Sequence, residues 1–223
     1  MKKNSFIDRN NQIIDDWTFC GCDSLTAAAV PDGVTAIGKC AYCGCDNLTN
    51  ATIPGSVTLI GKQAFYGCRE LRHITIGDGV TTIGSYAFCG CSRLLAVTVP
   101  DSVTFIEEGA FCECGSLVNA VIGNGVSVIH QKTFADCSSL TAVRLGTGVT
   151  VIEEDAFEWC RSLREITIAD SVTVIKKRAF CGCDSLQDIY YGGTEAQWNL
   201  LKGYMGGRNE KFCSAAIHFN TRI

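Results

Sequence analysis

Fifteen cysteines are the residues of this 223-residue chain whose type and spacing could most directly do chemistry. Five of them stand two positions before another cysteine, at Cys20, Cys43, Cys89, Cys112 and Cys181. Thiolates in such Cys-x-Cys pairs could bind a metal ion, act in redox reactions or join in disulfides. Because fifteen is an odd number, the cysteines cannot all pair within one chain.

The other residue types offer little for catalysis. The three histidines, His73, His130 and His218, occupy different positions of the sequence pattern, and none accompanies a nucleophile in a recognisable motif. There is no glycine-rich phosphate loop between a strand and a helix, and no His-Glu-x-x-His sequence. We therefore predict a non-enzymatic protein that uses no cofactor.

A repeat of 23 residues places the cysteines along the chain. Eight copies of Cys-x-x-Leu follow one another without an insertion, and they begin at Cys22, Cys45, Cys68, Cys91, Cys114, Cys137, Cys160 and Cys183. A period of about 20 to 29 residues with regular leucines is typical of a leucine-rich solenoid. In such a fold each repeat forms one rung, and a rung packs only against its neighbours.

Each rung is predicted to contain two extended segments and one tight turn. After the leucine, alternating β-branched residues such as Ile74 and Ile76 predict a short strand. Turn residues follow, and then a second extended segment such as residues 57–60. The rung closes with Ala-Phe-x-Gly-Cys, for which we predict one tight helical turn. Its aromatic residues are expected to stack through the core, at Phe19, Tyr42, Phe65, Phe88, Phe111, Phe134, Phe157 and Phe180.

The whole unit resembles a known repeat family. Its pattern Ile-x-Ile-Pro-Asp-Ser-Val-Thr-x-Ile-Gly-x-x-Ala-Phe-x-Gly-Cys-x-x-Leu is similar to the BspA-type leucine-rich repeat of bacterial surface proteins, over roughly residues 5–191. The resemblance implies a right-handed leucine-rich-repeat solenoid with a parallel β-sheet on its concave face. It also implies a convex side of extended chain and short turns, with little helix. The implied function is a protein-interaction scaffold that serves adhesion or binds host or matrix proteins.

The two ends differ from the repeat, as the caps of a solenoid must. We predict that residues 1–13 form a partial repeat, with Ser5 and Ile7 at strand positions. Residues 14–191 then form the eight repeats, and residues 192–223 form a C-terminal cap. All three parts are predicted to make one domain.

The C-terminal cap is predicted to contain a helix and a strand. Residues 194–197 read Thr-Glu-Ala-Gln, a capping box that predicts a helix through about Lys202. Trp198 and Leu201 lie three positions apart on this helix and are expected to cover the last rung. Residues 216–219 alternate in the manner of a closing strand.

The repeat changes how the cysteines are interpreted. The cysteine of each Cys-x-x-Leu is expected to be buried between rungs, whereas the companion cysteine two positions earlier is expected at the solvent or at a shallow edge, because that position also accepts Tyr66, Ala135 and Glu158. Reduced thiols are the favoured state, and a thiol-based metal or redox protein is an alternative. The candidate metal ligands are four thiols on adjacent rungs, Cys20, Cys22, Cys43 and Cys45, or the equivalent set Cys89, Cys91, Cys112 and Cys114. Tetrahedral zinc needs ligands that converge at about 2.3 Å, however, and stacked rungs project their side chains in parallel.

The outward side of the first strand in each rung is the remaining candidate surface. Small or neutral residues fill its first half, and charged residues and a tyrosine gather toward the C-terminal half. Arg and Tyr dominate the binding energy of many interfaces. We predict ligand binding at Arg144, Glu165, Thr167, Asp188 and Tyr190. Threonine rows also suit exposed strands without any ligand, and a glycan or small-molecule site at the Tyr190 end is the alternative.

Composition limits the classes of partner. A formal net charge of −4 without clustered Lys and Arg argues against nucleic acid. No apolar run approaches the roughly 18 residues that cross a bilayer, and the first residues lack the apolar stretch of a signal peptide. The sequence by itself therefore predicts a cytoplasmic protein, whereas the family resemblance implies the cell surface or secretion. We expect a monomer, or a weak dimer that forms end to end or edge to edge.

Overall fold

The computed structural model describes residues 12–221 and shows a parallel-strand solenoid of about eight turns. Each rung contributes a short strand to a front sheet and a two-residue strand to a back sheet. In chain order the elements are β1 (Ile13–Ile14), β2 (Ala27–Ala29), β3 (Ala36–Ile37), β4 (Asn50–Ile53), β5 (Leu59–Ile60), β6 (His73–Ile76), β7 (Thr82–Ile83), β8 (Ala96–Val99), β9 (Phe105–Ile106), β10 (Asn119–Ile122), β11 (Val128–Ile129), β12 (Ala142–Arg144), β13 (Val151–Ile152), β14 (Glu165–Ile168), β15 (Val174–Ile175), β16 (Asp188–Tyr191), α1 (Glu195–Gly203), α2 (Glu210–Ser214) and β17 (Ala216–His218).

The 23-residue period of the sequence sets the register of both sheets, because paired residues of successive rungs are 23 positions apart. The front sheet contains β2 to β16 in even numbers and ends on β17, and the back sheet contains β1 to β15 in odd numbers. Strands pair in parallel with equivalent positions side by side, so that Asn50 lies opposite His73 and Thr52 lies opposite Thr75. Each sheet is hydrogen-bonded in two blocks. The blocks meet where β6 lies next to β8 in the front sheet and where β9 lies next to β11 in the back sheet. The predicted leucine-rich-repeat solenoid is confirmed, while the proposed partial repeat at Ser5 and Ile7 lies outside the described residues.

The predicted aromatic spine runs through the core. From Phe19 to Phe180 each ring stacks on the ring of the next rung, with centroids 4.9 to 5.5 Å apart and nearly parallel planes. Such ring pairs add about 0.5–1.5 kcal/mol each beyond the area they bury. The C-terminal cap extends the stack, because Phe212 on α2 lies 4.3 Å from Phe180. Adjacent rungs are thus held together along the centre of the solenoid.

The cysteine of each Cys-x-x-Leu is a structural residue. From Cys45 onward all seven are buried. Each thiol donates to the carbonyl of the aromatic residue in the preceding rung, as Cys68 does to Tyr42 at 3.0 Å and Cys114 does to Phe88 at 3.3 Å. A small side chain with a weak S–H donor therefore fills this position and satisfies a buried carbonyl.

The segment that closes each rung is not the predicted helical turn. It is a succession of turns in which alternate N–H groups bond within the rung and to the next one. Tyr66 N–H donates to the Gln63 carbonyl at 3.1 Å, whereas Phe65 N–H donates to the Ala87 carbonyl of the following rung at 2.7 Å. Left-handed backbone at Gln63 and Gly67, with φ of 57° and 69°, breaks the helical path and turns alternate N–H groups toward the next rung. This edge of the solenoid is therefore as firmly hydrogen-bonded as the sheets.

The C-terminal cap closes the last rung with both polar and apolar contacts. The capping box forms at Thr194, whose hydroxyl accepts from Gln197 N–H at 3.3 Å, and α1 buries Trp198 and Leu201. The sequence did not predict α2, which follows Asn209. The side chain of Asn209 is buried. It accepts from Phe180 N–H and donates to the Lys176 carbonyl, and so bonds backbone groups that a further rung would otherwise bond.

Candidate ligand-binding face

The front sheet presents two continuous columns of outward side chains. Because the register is fixed, one column holds Ala27, Asn50, His73, Ala96, Asn119, Ala142, Glu165 and Asp188. The neighbouring column holds Ala29, Thr52, Thr75, Thr98, Val121, Arg144, Thr167 and Tyr190. Between them the inward residues, such as Val97 and Val99, are buried. The result is a long strip of small and polar side chains on a rigid floor.

A hollow of about 930 Å³ lies over the middle rungs of this strip. Its lining includes Thr75, Thr98 and Val121 on the strands and Arg144 at one end. Asp78 and Asp101 belong to the turns that follow the strands and stand at its rim. Asp101 already accepts from the Asn124 N–H at 2.7 Å, so its carboxylate is held in place. The hollow therefore offers a guanidinium, a fixed carboxylate and a threonine row to a ligand.

The structure brings the five predicted binding residues onto three successive rungs. Thr167 lies between Arg144 and Tyr190 in one column, and Glu165 pairs with Asp188 in the other. Of the five, only Arg144 lines the hollow. The predicted patch is thus contiguous, but its C-terminal part lies beside the hollow and outside it.

The cap engages the far end of the predicted patch, which the sequence did not indicate. The ring of His218 on β17 stacks on Tyr190 with centroids 4.8 Å apart. The His218 Nε2 atom lies 2.7 Å from the Asp188 carboxylate. Asp188 and Tyr190 therefore join the cap to the last rung, and less of their surface is left for a ligand. Sequence reasoning missed this joint because the register of the closing strand against β16 cannot be read from the repeat.

Sequence reasoning also missed Asp78 and Asp101 as rim residues. They were treated as turn residues because aspartate is common where a strand ends. The signal that could have found them is their equivalent place in successive rungs, directly after the outward strand positions.

The companion cysteines differ in exposure from the prediction. Cys20 is exposed and Cys43 and Cys181 are half-buried, but Cys89 and Cys112 are 3% and 6% exposed. The last two form a small satellite cluster with Ala135 and Tyr86. The column was predicted to face solvent or a shallow edge, and exposure to solvent is wrong for Cys89 and Cys112, which instead line a cleft at the edge. The physical reason is that the Tyr86 ring packs over the two thiols, and the type of residue at equivalent positions in other rungs does not reveal it.

The four-thiol metal sets named from the sequence do not converge. In the first set the Cys45 thiol points into the core and donates to the Phe19 carbonyl at 3.0 Å, while Cys20 is exposed on the turn edge. In the second set Cys114 likewise binds a core carbonyl. Side chains two positions apart on this turn face different ways, which separates the two columns of thiols. Burial, together with the thiols of Cys20 and Cys40, raises the pKa of Cys43 to about 11, so this thiol is protonated at neutral pH.

Charged side chains of successive rungs form a ladder of ion pairs at the start of the closing turns, directly after the back strands. Glu153 lies 2.7 Å from the Lys176 ammonium and 3.1 Å from the His130 ring. Burial alone would raise the pKa of Glu153, but the hydrogen bonds from Lys176 and His130 outweigh it and lower that pKa. Beside this pair Arg178 binds both Asp155 and Glu158, and Asp155 is buried. The Glu153–Lys176 pair is therefore partly open to solvent, whereas the Arg178–Asp155 pair is partly buried.

Replacing Glu153 and Lys176 together by alanine is expected to change the melting temperature at pH 7 by only about 1–2 °C, because exposed pairs contribute below about 1 kcal/mol. A carboxylate whose pKa is lowered in the folded state stabilises the fold above the unfolded pKa, and this contribution is lost as the pH falls through the lower folded pKa. The melting curves of the two proteins should therefore converge in acid. Differential scanning calorimetry between neutral and acidic pH would measure both effects. A loss greater than about 5 °C at pH 7 would show that the pair does more than neutralise charge.

Comparison with known proteins places the repeat. A sequence profile of the BspA-type leucine-rich repeat region, in six copies, matches residues 3–117 and 104–196. The chain belongs to this family. Members of the BspA-type family share the repeat scaffold, and the fold is typically non-enzymatic.

Solved structures resemble the chain over most of its length. A leucine-rich repeat protein of T. pallidum is 28% identical, with a TM-score of 0.72, and the alignment covers 91% of this chain and 95% of that protein. A leucine-rich cell surface protein of Faecalibacterium prausnitzii A2-165 is also 28% identical, with a TM-score of 0.57 and coverage of 84% and 65%. A leucine-rich repeat protein of Bacteroides ovatus shares the fold at 22% identity and a TM-score of 0.64, with coverage of 86% and 68%. No curated protein matches the chain.

The two helices of the C-terminal cap, α1 and α2, are short. Among residues 12–221, none of the helices has the length and apolar character required to span a membrane.

Proposed function

We propose that this BspA-type repeat protein is a non-enzymatic scaffold that binds a protein ligand through its front face, in adhesion or in contact with host or matrix proteins. The observation that carries the proposal is the hollow over the middle rungs, with Arg144 at one end and Asp78 and Asp101 at its rim. Parallel sheets of stacked rungs commonly bind partners along such a surface. The relative from Faecalibacterium prausnitzii, a cell surface protein by its name, is consistent with this role.

The chemistry of the hollow favours a polypeptide ligand. Thr75 and Thr98 offer hydroxyl groups, Val121 an apolar contact, and Arg144 a fork that binds a carboxylate in two places. The floor beneath them is held by ladder hydrogen bonds and a packed core, so binding costs little reordering of the scaffold. An extended segment with an acidic side chain would match this arrangement. Glycan binding at the Tyr190 end has less support, because the Tyr190 ring already stacks on His218.

The test compares two charge reversals on the same scaffold. Arg144→Glu changes the front face, and Arg69→Glu makes the same change on an exposed turn, where Arg69 lies 4.0 Å from Asp46. Immobilised fibronectin, fibrinogen and collagen serve as probes, and biolayer interferometry measures the dissociation constant of each protein. We expect Arg144→Glu to weaken binding about tenfold or more and Arg69→Glu to leave it unchanged.

Two outcomes would contradict the proposal. One is an equal effect of both variants, which would place the ligand away from the front face. The other is the lack of measurable binding to all three probes by the unaltered protein. Circular dichroism of both variants verifies that the scaffold stays folded.

A further inference from the structure

Cys89, Cys112 and Glu113 form a group of donors that the front-face function does not use. Their two sulfur atoms and a carboxylate oxygen all lie within 4.8 Å of one another. Among the described residues, no other three histidine, cysteine or acidic side chains bring their donor atoms within this distance. The rungs that carry it are fixed in register, because Gly90 N–H donates to the Cys112 carbonyl at 2.9 Å.

The two thiols are placed unlike the core cysteines. Each core cysteine from Cys45 onward donates to a backbone carbonyl and has a complete structural role. Thiols of successive rungs also approach each other in the core, as Cys114 and Cys137 do. The Cys89 and Cys112 thiols differ because they lie on the turn edge against Tyr86 and have the Glu113 carboxylate beside them. Two buried thiols that point at one another beside a carboxylate make a ligand set, because sulfur and oxygen donors are what a borderline-soft metal ion takes from a protein.

Glu113 occupies a position where the fold favours glycine. The residue directly before each core cysteine has positive φ in all eight rungs, and five of the eight are glycines, namely Gly21, Gly44, Gly67, Gly90 and Gly182. Glu113 adopts the same left-handed backbone, with φ of 57°. Glycine would meet this requirement without strain. The Glu113 carboxylate therefore lies beside the thiols even though its residue must adopt a left-handed backbone that glycine adopts more readily.

We propose that Cys89, Cys112 and Glu113 bind a zinc ion. In tetrahedral coordination, with zinc–sulfur bonds near 2.3 Å, two sulfur ligands lie about 3.8 Å apart. The three donors therefore need to close by only about 1 Å from their present separation of up to 4.8 Å. As the two sulfur–zinc bonds form, each thiol releases its proton to solvent, so that the ion replaces two protons.

The surroundings supply the fourth coordination position and a suitable charge. A cleft of about 360 Å³ adjoins the thiols and has room for a water ligand. Asp136 and Glu158 line it together with Glu113. Arg178 already neutralises Glu158, so Asp136 and Glu113 supply the acidic charge that precedes cation binding. Lys132 lines the same cleft and offsets the excess negative charge of two thiolates and a carboxylate around a divalent ion.

Cobalt(II) is the probe, because its thiolate complexes absorb in the near ultraviolet and visible while zinc is silent. The full chain, kept reduced with a phosphine, is titrated with cobalt(II), and zinc is then added to displace it. We expect one metal ion per chain, a thiolate-to-cobalt absorption band, and loss of that band when zinc is added. Elemental analysis of zinc-loaded protein after gel filtration gives the stoichiometry independently.

Variants assign the ligands. Cys89→Ala and Cys112→Ala should each abolish the band, and both should fold, because alanine occurs in the same column at Ala135. Cys43→Ala, the same change in the same column, should leave the band unaltered. Glu113→Gly should weaken cobalt binding roughly tenfold or more while raising the melting temperature of the metal-free protein, because it removes a ligand and relieves left-handed backbone. A purely structural role for Glu113 would not move the two readouts in opposite directions.

Three results would overturn the zinc site. They are no cobalt band in the reduced protein, a band that survives Cys89→Ala, or a band that disappears in Cys43→Ala. A disulfide between Cys89 and Cys112 in protein purified without reductant, combined with no metal binding after reduction, would assign the pair to redox chemistry instead. Binding at the front face is measured separately, with Arg144→Glu, so either proposal can fail without the other.

Discussion

Replacing Phe134 by alanine is expected to lower the free energy of unfolding by about 3–5 kcal/mol. The ring is fully buried at the centre of the aromatic spine and stacks on Phe111 at 5.5 Å and Phe157 at 5.3 Å. Its removal costs both the transfer of the ring from water and the cavity left between two rungs, which the fixed ladder hydrogen bonds keep from collapsing. Urea denaturation followed by circular dichroism measures the loss.

The matched control is Phe105→Ala. Phe105 lies on the outer side of the back sheet and is 59% exposed. The same change in chemistry there should cost no more than about 0.5 kcal/mol, because little area returns to water. Equal destabilisation by the two variants would contradict the spine as the main cohesive element of the core.

A second large loss is expected for Asn209→Ala at the C-terminal cap. The Asn209 Oδ1 atom accepts from Phe180 N–H at 2.9 Å, and its amide donates to the carbonyls of Lys176 at 3.1 Å and Gly206 at 2.7 Å. Asn209 is 3% exposed, so alanine would leave buried backbone groups without these partners. We expect a loss of about 2–4 kcal/mol, since each unsatisfied buried group costs about 1–3 kcal/mol. Urea denaturation gives the total.

Hydrogen exchange tests where the loss acts. Because each rung contacts only its neighbours, faster exchange should be confined to the cap and the last rungs. Asn47→Ala is the control, since the exposed Asn47 amide donates to the Asp23 carbonyl at 2.8 Å and water can replace it. A loss for Asn209→Ala no larger than for Asn47→Ala would show that the cap is held by its apolar contacts with Trp198 and Phe212 alone.

The zinc proposal separates the cysteines of this protein into structural thiols and candidate metal ligands. Seven buried core thiols have carbonyl partners and are structural. Among the other thiols, Cys89 and Cys112 lie together on the turn edge, where Glu113 departs from the glycine of most rungs. A site of this kind would tie together two successive rungs near the middle of the solenoid.

The amino-acid sequence by itself determined the solenoid. A period of 23 residues without insertion aligns equivalent positions of successive rungs, and the alternation in Ile74–Ile76 or Val97–Val99 decides which side is buried. The aromatic spine and the buried cysteine column follow from the same rule, because a residue type that recurs at every period stacks on itself. The outward columns of the front sheet, including Arg144 and Thr167, were predictable for this reason.

Only the tertiary structure decided the contacts between positions that are not equivalent. The Tyr86 ring over Cys89 and Cys112, the His218 ring on Tyr190, and the Asn209 side chain beneath Phe180 each join different columns or join the cap to the repeat. A period fixes how like residues align along the solenoid, but it carries no information on how a turn directs two side chains or how a non-repeating cap lies on the last rung. Those depend on backbone conformation and side-chain packing in three dimensions, and the candidate metal site and the extent of the binding face are set there.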